Sequence, residues 1–385
     1  MTEKLYDYDS YATEFDAGVL SCEKGEKGYE IILDKTLFFP EEGGQCCDKG
    51  TLDGKVITDV QIKGDTIYHY CDEAFETGKN VHGKIDFKLR FSNMQNHTGE
   101  HIICGIAHKL YGYENVGFHL GEDYVTMDLD GPLTKEQIEE IEYMANEAVF
   151  KNVTVTACYP DAEELKTIDY RSKSELSGNI RIVTIDGFDV CACCAPHVAR
   201  TGEVGLIKIV DFMAHRGGVR LTIHCGYDAL RDYHERYLHT LAVSNLLSVK
   251  QTEVTEGVQK LLDDMGKLRH ELAEKTKAMA AMFVDSITDS GENICIFDSS
   301  LNRDAMRTVV NGGMKKTGSA VAVFSGNDED GYAYIIGSSA INLKVFSKDI
   351  SEKLGGRGGG SETMIQGSVT ASKSQIEEYV KNLGK

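Results

Sequence analysis

The chain has 385 residues, enough for more than one hydrophobic core, and 41 basic against 61 acidic residues leave it a formal net charge of −20. That balance excludes non-specific polyanion binding over the whole surface, so any nucleic-acid contact must be local. Eleven cysteines at irregular spacing, with adjacent pairs at Cys46-Cys47 and Cys193-Cys194, do not form the framework of a small secreted protein, and no apolar run has the length of a signal peptide or a bilayer span, so a soluble cytoplasmic protein with no membrane partner is expected.

From about Thr13 to Ile85, short alternating runs rich in Val, Ile and Tyr are broken by Lys24-Gly25, Glu42-Gly43-Gly44, Asp53-Gly54 and Lys63-Gly64-Asp65. This pattern predicts a small all-β barrel or sandwich. Ile102, Ile103, Ile106, Ala107 and Leu110 then recur at helical spacing, predicting a helix from Met94 to Leu110. A second helix, Thr134 to Phe150, opens on a capping box with Gln137 three residues past Thr134. Strands are expected at Val153 to Tyr159, Ile180 to Ile185, Gly205 to Val210 and Val219 to Cys225.

After Gly226 the texture changes. Tyr227 to Asp285 has no proline and only two glycines, and Val254, Val258, Leu261, Met265, Leu268, Leu272 and Met279 follow a heptad seam. The polar stretch Ser248 to Thr252 divides the region into two helices, a hairpin that serves either as simple intrachain packing or as an intersubunit arm. Strands return at Asn293 to Phe297, Ser319 to Phe324 and Tyr332 to Gly337, followed by the glycine cluster Gly355-Gly356-Arg357-Gly358-Gly359-Gly360. A glycine-rich loop can cradle phosphate, but this one lacks the Gly-Lys-Ser/Thr ending of a P-loop, which argues against nucleotide hydrolysis. Seven basic and five acidic residues from Ile341 onward give a local positive excess suited to an RNA backbone.

Two short runs carry the chemistry. His97-Thr98-Gly99-Glu100-His101 and Cys193-Cys194-Ala195-Pro196-His197 each place two metal-type ligands four residues apart. Three imidazoles and a thiolate suit tetrahedral Zn²⁺ better than the oxygen-preferring Mg²⁺ or Ca²⁺. Cys191 and Cys194 are rival thiols, but only Cys193 repeats the four-residue spacing from His197. A competing reading is that His97 to His101 matches the H-x-x-E-H pattern of inverzincin proteases, with Glu100 as general base. Four ligands bound at once would make the zinc structural, whereas catalysis needs an exchangeable position. The segment Thr36 to Gln45, with Gly43 and Gly44, supplies a hydroxyl and an amide that can line a small pocket.

In their order these motifs resemble the editing region of alanyl-tRNA synthetases and the free-standing AlaX-type editing proteins. Asp34 to Gln45 is similar to a threonine-containing F-Y-P-E-x-G-G-Q loop, and Asp86 to His101 to a D-W-x-x-R…M-x-x-H-T-x-x-H block. Cys193 to Val198 with Thr201 to Gly205 resembles C-G-G-T-H-V…T-G-E-I-G, and Gly355 to Gly360 with Met364 to Gly367 resembles the glycine-rich signature of the DHH-associated domain. One departure is Cys194-Ala195-Pro196 where the family has Gly-Gly-Thr. Because the chain opens in the barrel, with no room for an aminoacylation domain, a trans-acting editor is expected. The resemblance implies that His97, His101, Cys193 and His197 bind Zn²⁺, that Gln45, Gly43 and Gly44 line the aminoacyl pocket, that Thr36 senses a serine hydroxyl, and that Gly356, Arg357, Gly358, Gly359 and Gly360 contact tRNA. The implied substrate is mischarged tRNA(Ala), carrying serine or glycine; the alternative is a tRNA-binding paralogue with a purely structural zinc. The expected fold is α+β, with a β-barrel over 1–90, a zinc-binding editing domain over 91–227, a helical coiled-coil linker over 228–285 and a DHH-associated α/β domain over 286–385, and a possible homodimer through the C-terminal half.

Overall fold

A computed structural model describes residues 1–121, 124–172 and 179–384, and the chain forms two compact units, Met1–Ala242 and Val243–Lys385. Both mix helix and sheet.

In the first unit, six strands close into a barrel in the order Glu14–Gly25, Gly28–Leu33, Thr66–Cys71, Lys55–Lys63, Gly50–Leu52 and Asn80–Ile85. Alternate residues point inward, so Ile31, Leu33, Ile57, Ile67, Val81 and Ile85 share one core with Phe38 and Phe39 from the segment between strands. The barrel hands over to helix α1, Phe87–Tyr111, whose first turn is capped by the Asp86 carboxylate accepting Leu89 N–H and whose end is closed by Gly112 in a left-handed conformation. From Asn93 to Ala107 every residue of α1 is buried, including a run of polar side chains. Each needs a partner at such depth. Gln95 Nε2 donates to the Glu203 carbonyl at 2.9 Å, and Asn96 Oδ1 accepts Cys225 N–H at 2.9 Å.

Around α1 lie helix α2, Lys135–Lys151, and two antiparallel sheets. The capping box at Thr134 and Gln137 forms in both directions. One sheet runs Ile207–His215, Gly218–Cys225, Val125–Leu129, Asn115–Leu120; the other runs Val155–Cys158, Ile182–Ile185, Asp189–Ala192. The strands at Asn115, Val125 and Asp189 are absent from the sequence reading. They are short, and Asn115–Leu120 carries the strand-poor residues Asn115 and Gly117; Val125–Leu129 does alternate apolar and polar residues, a signal the sequence reading passed over.

The second unit carries a five-stranded sheet in the order Ile294–Phe297, Val321–Asn327, Gly331–Gly337, Met364–Val369, Arg357–Gly360. The first pair is parallel and the rest antiparallel. The glycine cluster is thus a strand where a loop was expected. Arg357 to Gly360 pair with Ser368 to Ile365, an approach so close that a Cβ at Gly358 would fall 2.3 Å from Tyr334 Oη. Helices Tyr227–Leu247 and Val254–Ser286 are separated at the expected polar stretch. On the longer one the seam residues Leu261, Leu268 and Leu272 are exposed. Among the described residues no helix is long and apolar enough to cross a membrane.

Candidate metal centre and its cleft

Helix α1 puts His97 and His101 one turn apart on one face, with ring centroids separated by 5.5 Å. The segment after strand Asp189–Ala192 brings Cys193 and His197 to the same point. The His197 ring centroid lies 5.0 Å from that of His97 and 4.8 Å from that of His101, and Cys193 Sγ is 3.5 Å from His97 Nε2 and 3.3 Å from His197 Nε2. One candidate ligand atom from each of the four lies within 4.8 Å of the others.

The outward nitrogen of every imidazole has a partner. His97 Nδ1 donates to Gln45 Oε1 at 2.7 Å, His101 Nδ1 to Asp189 Oδ2 at 2.8 Å, and His197 Nδ1 pairs with Thr98 Oγ1 at 3.0 Å. This leaves Nε2 of each ring for the common point, the arrangement in which metal-binding histidines are held by neighbouring groups. Burial alone would raise the Cys193 thiol, but His97 and His197 pull it well below the usual thiol range, towards the thiolate a metal needs. Burial pushes His197 down to about 3, keeping it neutral and able to act as a ligand. Soft sulfur and three nitrogens in a tight cluster fit Zn²⁺ by donor type.

The cluster opens into a cleft of about 440 Å³, also lined by Lys4, Glu42, Gly43, Tyr159, Arg181 and Cys194. Glu42 to Gln45 form a tight turn closed by Glu42 N–H to Gln45 O at 3.2 Å and Gln45 N–H to Glu42 O at 3.1 Å. Its central residues, Gly43 and Gly44, have φ of 63° and 84°, the left-handed pair that a two-residue hairpin turn requires. Leu120 N–H donates to Gly44 O at 2.7 Å and fastens the turn to the neighbouring sheet. Among the described residues, no acceptor meets the Gly43 or Gly44 N–H, and buried Gln45 Nε2 has no partner.

Thr36 is fully buried in the barrel and does not line this cleft. Its Oγ1 lies 2.9 Å from His69 Nε2 and accepts Phe38 N–H at 3.0 Å. Gly356 to Gly360 belong to the second unit. Glu100 turns its carboxylate to Asn115 Nδ2 and to Cys104 Sγ, the latter at 3.1 Å.

Sequence reasoning passed over Thr98, Asp189, Arg181 and Lys4. Asp189 left no usable signal, because the strand that sets it on one face with Cys191 is itself unmarked in the sequence. Arg181 fastens the ligand segment: its Nη1 donates to the Cys193 carbonyl at 3.1 Å and the Ala195 carbonyl at 2.8 Å, while Cys193 N–H donates back to Arg181 O at 3.0 Å. Only folding brings these atoms together.

Residues 11–89 match the family described as tRNA synthetases class II (A), residues 180–221 the threonyl and alanyl tRNA synthetase second additional domain, and residues 280–385 the DHHA1 domain. The alanyl-tRNA editing protein AlaX-L of Pyrococcus horikoshii is 26% identical over 98% of this chain and 96% of its own length. The alanyl-tRNA editing protein Aarsd1 of Danio rerio is also 26% identical, over 97% of this chain and 96% of its own. An alanine–tRNA ligase of Haloquadratum walsbyi is 32% identical over 92% of this chain, which spans only 40% of that enzyme.

Proposed function

We propose, from the similarity of this chain along its whole length to alanyl-tRNA editing proteins, that it is a zinc-dependent hydrolase in the cytoplasm that removes the wrong amino acid from mischarged tRNA(Ala). The observation that carries the reading is the cluster His97, His101, Cys193 and His197, three of which (His97, His101 and Cys193) line an open cleft, with the outward nitrogen of each imidazole engaged. The need for such an enzyme is physical. A synthetase pocket built for alanine cannot exclude the smaller glycine, and an apolar pocket rejects an added hydroxyl by only about a hundredfold.

Zinc held by this set would supply Lewis acidity beside the ester that joins the amino acid to the terminal ribose, provided that one of the four ligands yields its position. The chain's own groups do the rest. The Gly43 and Gly44 N–H groups, fixed by the turn, stabilise the oxyanion that develops as the ester carbonyl is attacked. Gln45, buried behind the cleft wall, holds His97 through Oε1 and so acts on the substrate through the metal ligand it positions. Thr36, buried in the barrel against His69, does not reach this cleft, so a seryl hydroxyl would meet polar groups on the cleft wall instead, in keeping with a second site that recognises by hydrogen bonding what the synthetase pocket rejects poorly. The strand Arg357–Gly360 in the second unit takes the tRNA backbone. The domain divisions at 90, 227 and 285 stand as part of this reading, as does pairing of two copies through the exposed seam of helix Val254–Ser286.

The test is metal analysis with deacylation of seryl- and glycyl-tRNA(Ala), comparing the wild type with His97→Ala and Cys193→Ala. Stoichiometric zinc and hydrolysis in the wild type, both lost in the variants, are expected. Full zinc content without deacylation of either substrate would sink the reading and leave a structural metal, and casein cleavage dependent on Glu100 would point to a protease instead.

A further inference from the structure

The three imidazoles are held unequally. His97 and His197 lean on neutral groups, Gln45 Oε1 and Thr98 Oγ1, whereas His101 Nδ1 lies 2.8 Å from a carboxylate oxygen of Asp189. Asp189 is buried at the start of the strand that leads to Cys193. Its other oxygen accepts Arg171 Nε at 2.8 Å. Arg171 is tied to that same strand, its N–H donating to Val190 O and its carbonyl accepting Ala192 N–H, each at 2.9 Å. By composition, His101, Asp189 and Cys191 form a second metal-type group with ligand atoms within 4.8 Å. A guanidinium bonded to Asp189 makes that a poor place for a dication, so the triad calls for another role.

We propose that Asp189, backed by Arg171, is the positioning residue of the metal centre: it holds His101 in the tautomer that carries its proton on Nδ1 and leaves Nε2 bare for the metal. The proposal rests on reading the neighbouring cluster as a zinc site. A carboxylate can only accept, so the nitrogen facing it must carry the proton of a neutral imidazole. The lone pair is then left on Nε2, aimed at the point shared with His97, Cys193 and His197. An amide in place of Asp189 can donate through its NH₂, which favours the opposite tautomer and blocks the ligand; the same substitution beside a catalytic histidine disables it for this reason. Arg171 balances the Asp189 charge, so orientation is gained without loading further negative charge onto a centre that already holds a thiolate. Chain continuity links the parts, since strand Asp189–Ala192 leads directly into Cys193, and the segment that delivers one ligand also aims another.

The experiment uses the full-length chain and reads zinc affinity by chelator competition and the visible absorption of the Co²⁺-substituted site, with thermal unfolding of the metal-free protein as control. Asp189→Asn alone would leave the part-buried Arg171 with only Glu114, at 3.6 Å, as a counter-charge, so the informative variant is Asp189→Asn/Arg171→Gln, which removes both members of the pair together. We expect it to bind zinc roughly 10- to 100-fold more weakly, with an altered Co²⁺ spectrum. Asp189→Glu, still acceptor-only, should recover most of the affinity. A double variant that binds zinc like the wild type would overturn the proposal, as would equal losses in the double variant and in Asp189→Glu, which would mean that packing and not the acceptor matters. Wild-type protein that takes up no zinc would overturn the metal reading itself, a result distinct from either.

Discussion

Gly99→Ala sets local propensity directly against tertiary packing. Gly99 sits midway between His97 and His101 on α1, and in a helix interior alanine is favoured over glycine by about 1 kcal/mol, so propensity alone makes the variant more stable. The structure reverses the sign. A Cβ at position 99 would fall 2.3 Å from Cys225 Sγ, 3.4 Å from Cys225 Cβ and 3.6 Å from Val204 Cγ1. Cys225 is fully buried, and its N–H is bonded to Asn96 Oδ1 of the same helix at 2.9 Å, so helix and strand cannot part without losing that bond. Overpacking of this kind costs roughly 1–3 kcal/mol, and a contact more than 1 Å too short belongs at the upper end. Set against the propensity gain, the net is a loss of about 2 kcal/mol. In a Cys225→Ala background the offending sulfur is gone, and Gly99→Ala should be neutral or stabilising by up to about 1 kcal/mol, a coupling of about 2–3 kcal/mol between the sites. Urea unfolding of the four metal-free proteins measures the cycle. A Gly99→Ala single variant more stable than the wild type, or one equally destabilised in both backgrounds, would refute the reasoning.

Gly44→Ala should cost far more than Gly43→Ala. At Gly44 a Cβ would lie 2.3 Å from the Phe118 carbonyl oxygen, a backbone atom, whereas at Gly43 the nearest neighbour is Cys194 Sγ at 3.5 Å. Deacylation and zinc content should therefore fall in the first and largely survive in the second, and equal effects would count against the turn geometry. For His69, burial pushes the pKa down from 6.5 to about 4, so the fold keeps it neutral while the unfolded chain takes a proton below about 6.5. Its contribution is complete above pH 6.5 and is lost between 6.5 and 4, a total of about 3 kcal/mol. Urea midpoints at pH 7.5 and 5 should differ less in His69→Gln than in the wild type. Arg181→Met removes the donors to the Cys193 and Ala195 carbonyls and should weaken zinc binding about tenfold or more, as read by chelator competition.

Much of the fold was legible because its signals are local. The period of α1, the capping box of α2 and the break between the two long helices each depend on residues a few positions apart. The strands at Asn115 and Asp189 were not, because they are short and open on the strand-poor residues Asn and Asp, whereas Val125–Leu129 alternates apolar and polar residues and its signal was passed over. The glycine cluster was read as a loop for a related reason: glycine has poor strand propensity, and only the close approach of Tyr334 and the Met364–Val369 strand shows why nothing larger fits at Gly356, Gly358 and Gly360.

By itself the sequence determined that two ligand pairs exist and how each is spaced, since four residues make one helical turn or one tight segment whatever surrounds them. It also carried the order of motifs that points to tRNA editing. That His97 and His101 meet Cys193 and His197 was decided only by tertiary structure, as was the choice of Gln45, Asp189 and Thr98 to hold the three imidazoles. These groups lie up to about a hundred residues apart, and a hydrogen bond fixes an imidazole only when its partner arrives within about 3 Å, a coincidence that chain folding sets and sequence spacing does not encode.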